Sequence, residues 1–185
     1  MNDKILLSEL SFEDAKRLLS GNKWLQTQVY DYSMDCISYD ISEIARYLDK
    51  VNYIDYSLGG VYGDYIKVNY HYYKEFIDAV RELDKDLCIF PESFNFEKLD
   101  RIYNKLSFYD DCNCGYEDIS DRQFELLEKW IESGVNDAVK AILNYIDGLQ
   151  DYDEDYYLES WLDICGGDYE TDKQYIYELT VKKYA

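Results

Sequence analysis

The most regular hydrophobic pattern in the chain begins at Ser120 and predicts one long amphipathic helix. Apolar residues there are separated by three or four positions, which places them on one helical face. They are Phe124, Leu127, Ile131, Val135, Ala138, Ile142, Ile146 and Leu149. Ser120 and Gln123 have the form of a capping box at its start. Gly134 and Gly148 are the positions at which this helix could bend or break.

Shorter helices are predicted on both sides of this pattern. Ser11 with Asp14 indicates a helix over about 12–20 that stops at Gly21. Asp40 with Glu43 opens a second helix that ends near Lys50. Two more helices are predicted at about 72–84 and 93–106, the second beginning soon after the single proline, Pro91.

Alternating patterns predict the strands. Residues 26–32 (QTQVYDY) alternate loosely, and the runs 51–57 and 61–71 are joined by Gly59-Gly60, which indicates a hairpin. A closing strand is predicted at 174–182 from the alternation of Tyr175, Tyr177, Leu179 and Val181. We therefore expect a single α+β domain over 1–185, with more helix than strand. The hairpin and the closing strand would share one small antiparallel sheet, with the long helix packed on it.

The charge balance decides which partners are compatible with the chain. Its 185 residues include 39 Asp plus Glu against 19 Lys plus Arg, a formal net charge of −20. Such a chain repels nucleic acid and anionic membranes, so direct binding to either is excluded. The first residues lack a basic region followed by an apolar run, so we expect no signal peptide, and no apolar run approaches the length needed to span a bilayer. With five cysteines, an odd number, we expect a cytoplasmic protein with reduced thiols.

Acidic residues are densest within 141–172, a segment with ten Asp or Glu and no Lys or Arg. Aromatic and aliphatic residues recur among these acids, whereas disordered acidic tails have few aromatics. The segment is therefore predicted to be a folded anionic surface that binds a partner. Its candidate contact residues are Asp147, Asp151, Tyr152, Asp153, Glu154, Asp155, Tyr156, Tyr157, Glu159 and Asp163. Five of these acids, Asp147, Asp151, Asp155, Glu159 and Asp163, repeat every four residues and form a first candidate stripe.

A second candidate stripe lies at the start of the long helix. Its residues are spaced by four, three and four: Asp121, Glu125, Glu128 and Glu132. On a helix such neighbours lie about 5–6 Å apart at Cβ, comparable to phosphates along a nucleic-acid strand. The alternative for each stripe is an ordinary solvated face. Two stripes and a lysine-free segment favour a functional surface.

The sequence predicts no metal site in the acidic segment. The run Asp151-x-Asp153-x-Asp155 resembles the start of an EF-hand loop, which requires Gly at its sixth position and Glu at its twelfth. Those positions hold Tyr156 and Leu162. Calcium binding is therefore not expected there.

Other catalytic and cofactor patterns are incomplete as well. Cys112 and Cys114 form one pair with a single intervening residue, whereas zinc sites usually have two pairs with wider spacing. The only histidine, His71, lies at a predicted strand end among tyrosines, where a structural role is favoured. A carboxylate metallonuclease would require a track of basic residues to hold its DNA, and no such track is apparent in the sequence. We therefore predict no catalytic residue, no metal and no cofactor.

In size, acidity and lack of a catalytic motif, the whole chain resembles the small DNA mimics of phages and mobile elements, the anti-CRISPR and antirestriction proteins. The resemblance is compositional and transfers no residue. It implies a non-enzymatic inhibitor that binds the basic nucleic-acid-binding surface of a host defence nuclease, a CRISPR effector or a restriction enzyme.

A second resemblance leaves an alternative open. Residues 56–64 are similar to the serine–glycine–aromatic, then glycine–aspartate, strand turn of a group of phage proteins sometimes labelled antitoxins. The segment here is shorter and lacks their glutamine. This alternative is an antitoxin or immunity protein that neutralises a basic toxin. A third possibility, from another class, is a carboxylate-metal enzyme.

Overall fold

A computed structural model describes residues 4–60, 63–111, 120–151 and 153–182. The described residues contain seven α-helices: α1 Phe12–Gly21, α2 Lys23–Leu48, α3 Tyr73–Leu87, α4 Phe96–Asp111, α5 Asp121–Gln150, α6 Glu154–Ile164 and α7 Lys173–Lys182. They also contain four short strands: β1 Lys4–Leu6, β2 Asp55–Ser57, β3 Tyr65–Lys67 and β4 Glu170–Asp172. The predicted class, α+β with helix exceeding strand, is confirmed.

The chain divides into two compact units. Unit 1 comprises Met1–Ser38 and Asp151–Ala185, and unit 2 comprises Tyr39–Gln150. Helix α2 supplies residues to both, and the boundary after Gln150 coincides with the end of α5. That 1–185 forms a single domain stays a prediction.

Unit 1 is built from both ends of the sequence. Strand β1 pairs antiparallel with β4, with Ile5 opposite Thr171. Helix α1 packs against α6 and α7. The capping box at the start of α1 is confirmed, because the Ser11 hydroxyl accepts a hydrogen bond of 3.2 Å from the Asp14 amide. The buried apolar residues of this unit are Leu7, Ala15, Leu18, Leu19, Leu25, Val29, Ile37, Tyr157, Leu158, Trp161, Leu162 and Ile176.

Unit 2 contains the larger core. Helices α3, α4 and α5 pack together, and the end of α2 and the β2–β3 hairpin contribute to the same cluster. From α5, the predicted apolar positions Ile131, Val135, Ala138, Ile142 and Ile146 are all buried. The predicted hairpin is confirmed as a shorter antiparallel pair with Tyr56 opposite Ile66. The helices predicted at 72–84 and 93–106 correspond to α3 and α4.

Two predicted strands are wrong. Residues 26–32 lie within α2, because Leu25, Val29 and Ile37 share a helical face and are buried. Residues 174–182 lie within α7, where Ile176 is buried while Tyr175 and Tyr177 are exposed. The predicted topology is also wrong, since the four described strands form two separate two-stranded sheets.

The two glycines of α5 give opposite expectations for alanine substitution. A Cβ at the buried Gly134 would overlap Ile102 Cδ1, and Ile102 is itself fully buried in α4. Gly134→Ala is expected to destabilise the protein by about 1–3 kcal/mol through overpacking. Gly148 is exposed and an added Cβ there has no neighbour within 4 Å. Gly148→Ala is expected to stabilise by about 0.5–1 kcal/mol through helix propensity.

Urea unfolding of both variants measures the difference in sign. Because both substitutions lie in one helix, the intrinsic gain of alanine over glycine is common to both variants. Equal stabilisation by both would contradict the close approach of α4 and α5 at Gly134.

Candidate partner-binding surface

Helix α6 begins at a well-formed cap. Asp153 is its N-cap residue, and Oδ1 accepts hydrogen bonds of 3.1 Å from the backbone amides of Asp155 and Tyr156. Such a cap contributes about 1 kcal/mol to helix stability. Asp153, which was predicted to contact a partner, therefore has a role in the fold.

The inner face of α6 fixes the orientation of the helix. Tyr157, Leu158, Trp161 and Leu162 are buried in unit 1. The Trp161 indole, 3% exposed, stacks on Tyr169 with ring centroids 5.5 Å apart. Tyr157 was predicted to contact a partner, but it is largely buried in unit 1. These contacts hold the opposite face of α6 towards solvent.

The opposite face of α6 carries acids around one tyrosine. Tyr156, Glu159 and Asp163 are spaced by three and four residues, which places them along one side of the helix. Tyr156 is 63% exposed, and Glu159, Asp163 and the first-turn residue Glu154 are exposed as well. We call Tyr156, Glu159 and Asp163 the acidic face of α6; Glu154, exposed in the first turn, lies four residues before the buried Leu158 and therefore on the other side of the helix. Within the described ranges, Glu159 and Asp163 have no ion-pair partner.

Asp155 differs from these carboxylates because it is paired. It forms an ion pair with Lys16 of α1, within unit 1. The Lys16 ammonium also donates a hydrogen bond to Asp155, and this hydrogen bond raises the pKa of Lys16 above its ordinary value. Desolvation of the ammonium opposes the shift, whereas the negative charges of Asp155, Glu13 and Glu154 add to it. Asp155 is thus partly neutralised by a residue of the same unit.

The predicted four-residue repeat of acids is not one continuous helical stripe. Helix α5 ends at Gln150 and α6 begins at Glu154, so the helical spacing holds only from Asp155 onwards. Asp151 is exposed in the connecting segment of unit 1, and Asp147 is exposed in the last turn of α5, in unit 2. Tyr152 lies outside the described residues.

The second predicted stripe lies on α5, within unit 2. Glu125 and Glu132 are exposed and Glu128 is half-buried. Asp121 begins the helix, but its side chain lies outside the described part of the chain. Burial raises the pKa of Tyr73, and the negative charge of Glu132 adds to this shift.

Two of the predicted acids occupy positions that the helix dipole disfavours. Asp163 lies in the last turn of α6 and Asp147 in the last turn of α5, and neither turn contains a basic residue. A carboxylate near a helix C-terminus faces partial negative charge, an interaction of about 0.3–1 kcal/mol. Helix stability therefore does not explain these acids.

The described residues contain neither a cluster that could hold a metal ion nor a helix that could cross a membrane. Among the residues that the structure describes, no three His, Cys, Asp or Glu side chains cluster in a way that could hold a metal ion. Cys112 and Cys114 lie outside that part of the chain. No described helix combines the length and the apolar character needed to cross a bilayer. The amide of His71 donates to Asn69 Oδ1, and its ring contacts Tyr70.

Comparison with known proteins does not assign the chain to a family. No family model, curated protein or solved structure matches it.

The contacts that hold α6 in place could not be recognised from the sequence, because they join residues that are far apart along the chain. Lys16 and Asp155 are 139 residues apart, and the partners of Trp161 include Trp24, whose ring meets it edge-on at 6.5 Å. Neither pair belongs to a local motif. The density of acids indicated this region, but which acids are free depends on these long-range contacts.

Proposed function

We propose that this chain is a non-enzymatic, cytoplasmic inhibitor that binds the basic nucleic-acid-binding surface of a host defence nuclease, a CRISPR effector or a restriction enzyme. The acidic face of α6 carries the proposal. It presents carboxylates and an exposed tyrosine on a helix whose other face is buried. Glu159 and Asp163 have no ion pair among the described residues, so their charge is available to a partner.

The spacing of these carboxylates suits a surface that binds phosphates. Residues three or four apart on a helix lie about 5–6 Å apart at Cβ, comparable to successive phosphates. Proteins hold the nucleic-acid backbone with Lys and Arg, and each contact replaces a condensed counterion by a fixed charge. The carboxylates would occupy the positions of phosphates on such a surface.

Long-range charge favours the same class of partner. With a net charge of −20 the chain attracts cationic surfaces, and such steering accelerates association. The rigidity of α6 helps as well, because its N-cap and the stacking of Trp161 order the helix before binding. A preorganised surface loses less entropy on association. Tyr156 would supply the aromatic contact that interface hot spots often contain.

A cleavage assay tests the proposal. The chain is added to guide-loaded CRISPR effectors and to restriction endonucleases before their DNA substrate, and cleavage is measured between about 50 mM and about 200 mM salt. We expect at least one nuclease to be inhibited, with the inhibition weakening as salt increases. Full activity of every nuclease, together with neutralisation of a basic toxin, would favour the antitoxin alternative instead.

A further inference from the structure

Tyr53 lies in a strained turn of unit 2, and its side chain is exposed to solvent. Its side chain is 81% exposed and its φ is +51°, in the left-handed region that favours glycine. Residues in such conformations persist only where their surroundings hold them, and they are frequent at binding sites. A glycine at this position would relieve the strain.

Other residues hold this turn in place. Val51 is buried in the core of unit 2, and the backbone N and side-chain Nδ2 of Asn52 both donate to Glu75 Oε2 at 3.0 Å. The Tyr53 ring lies beside the half-buried ring of Tyr72, with centroids 5.3 Å apart. Val51 and Asn52 therefore anchor the turn, and among the described residues the exposed ring of Tyr53 adds only its contact with Tyr72.

Several other tyrosine rings of unit 2 are paired with cations of the chain itself. Lys50 Nζ lies 4.2 Å from the ring centroid of Tyr47, and Lys67 Nζ lies 5.0 Å from that of Tyr65. A third ring, that of Tyr103, has the Arg81 guanidinium at 4.9 Å.

The pair formed by Tyr53 and Tyr72 differs in this respect. No Lys or Arg among the described residues lies over either ring, and the carboxylate of Glu75 is anchored to the same turn through Asn52. An external cation would therefore meet two rings and a nearby carboxylate.

We propose that Tyr53, Tyr72 and Glu75 form a docking site for an arginine side chain of the basic partner. This proposal rests on the proposed function and adds a contact on unit 2. A guanidinium is planar, weakly hydrated and able to stack on aromatic rings, whereas an ammonium is compact and strongly hydrated. The net charge of −20 and the Glu75 carboxylate favour a cationic occupant over a nucleobase, whose phosphate they would repel.

Peptide binding followed at the tyrosine rings tests the site without any nuclease. Oligoarginine and oligolysine peptides of equal length are titrated into the full chain with isotope-labelled tyrosine, and ring signals are followed by NMR. The Tyr53 signal is assigned by its loss in Tyr53→Gly. We expect oligoarginine to shift the Tyr53 and Tyr72 signals more than oligolysine does. Tyr53→Gly should lower the affinity measured at Tyr72 for oligoarginine about two- to fivefold.

Two controls separate binding from folding. Tyr53→Gly should keep or raise the thermal midpoint, because glycine accepts the positive φ. Tyr39→Ala removes an exposed tyrosine on α2 and should leave the affinity at Tyr72 unchanged. Equal shifts with both peptides, unchanged binding by Tyr53→Gly, or a lowered midpoint would each overturn the arginine site. A preference for arginine that persists while no nuclease is inhibited would count against the proposed function alone.

Discussion

A variant with four lysines in place of exposed carboxylates is expected to bind its nuclease about 100-fold more weakly, or worse. The four substitutions are Asp151→Lys, Glu154→Lys, Glu159→Lys and Asp163→Lys. Each would place like charges against the partner's Lys and Arg, whereas loss of one exposed ion pair costs only about 0–1 kcal/mol. Asp153 and Asp155 are retained, because one caps α6 and the other pairs with Lys16.

The fold is expected to survive this change. The four acids are exposed, and their replacement reduces the repulsion within a chain of net charge −20. Circular dichroism and urea unfolding should therefore match the unsubstituted protein. Affinity is measured by titration against the nuclease identified in the cleavage assay.

A matched variant separates position from total charge. It replaces four other exposed acids by lysine: Glu9, Asp31, Asp35 and Glu92. Both variants change the formal charge by eight, from −20 to −12. We expect the matched variant to lose less than about tenfold, because it alters only the long-range field. Equal losses in the two variants would show that the exposed acids between Asp151 and Asp163 have no special role.

Removal of the Trp161 side chain is expected to abolish binding without altering any charge. Trp161 is almost fully buried and contacts Tyr169 and Trp24, so Trp161→Ala should destabilise unit 1 by about 3–5 kcal/mol. The acids would then be present but not held on a fixed helix. Urea unfolding gives the stability, and the nuclease titration gives the affinity.

Trp24 provides the control for this prediction. It belongs to the same ring cluster but is 45% exposed, so Trp24→Ala should destabilise the protein less. Binding should persist in this variant, because the buried face of α6 is retained. If Trp161→Ala melts α6 and the chain still binds with its original affinity, the acids act as an unstructured polyanion and the account is wrong.

The elements predicted correctly were those with strong local signals. Helix α5 followed from its apolar spacing, α1 from the Ser11–Asp14 box and the β2–β3 hairpin from Gly59-Gly60. The strand predicted at 26–32 was wrong because these residues alternate only loosely. Their helical spacing is recognisable only when the rest of unit 1 shows which residues of α2 are buried. At 174–182 the alternating tyrosines are exposed on a helix, so their alternation reflected no sheet.

The candidate site was predictable in position but not in detail. The density of acids in the sequence is enough to locate the region of α6. The free carboxylates could not be told apart from the engaged ones, because that distinction depends on contacts between distant residues. Asp155 is engaged by Lys16, and Tyr53 is distinguished from other tyrosines by its exposure, its positive φ and its ring neighbour.

The central claim is that the chain and nucleic acid occupy the same basic surface. The most direct test is a competition titration. The chain is added to a complex of labelled DNA with the nuclease identified in the cleavage assay, release of the DNA is measured, and the titration is repeated over a range of salt concentrations. We predict that the chain displaces the DNA completely. The logarithm of the affinity between chain and nuclease should fall linearly with the logarithm of salt concentration. Simultaneous binding of DNA and chain, or an affinity that does not change with salt, would contradict the claim.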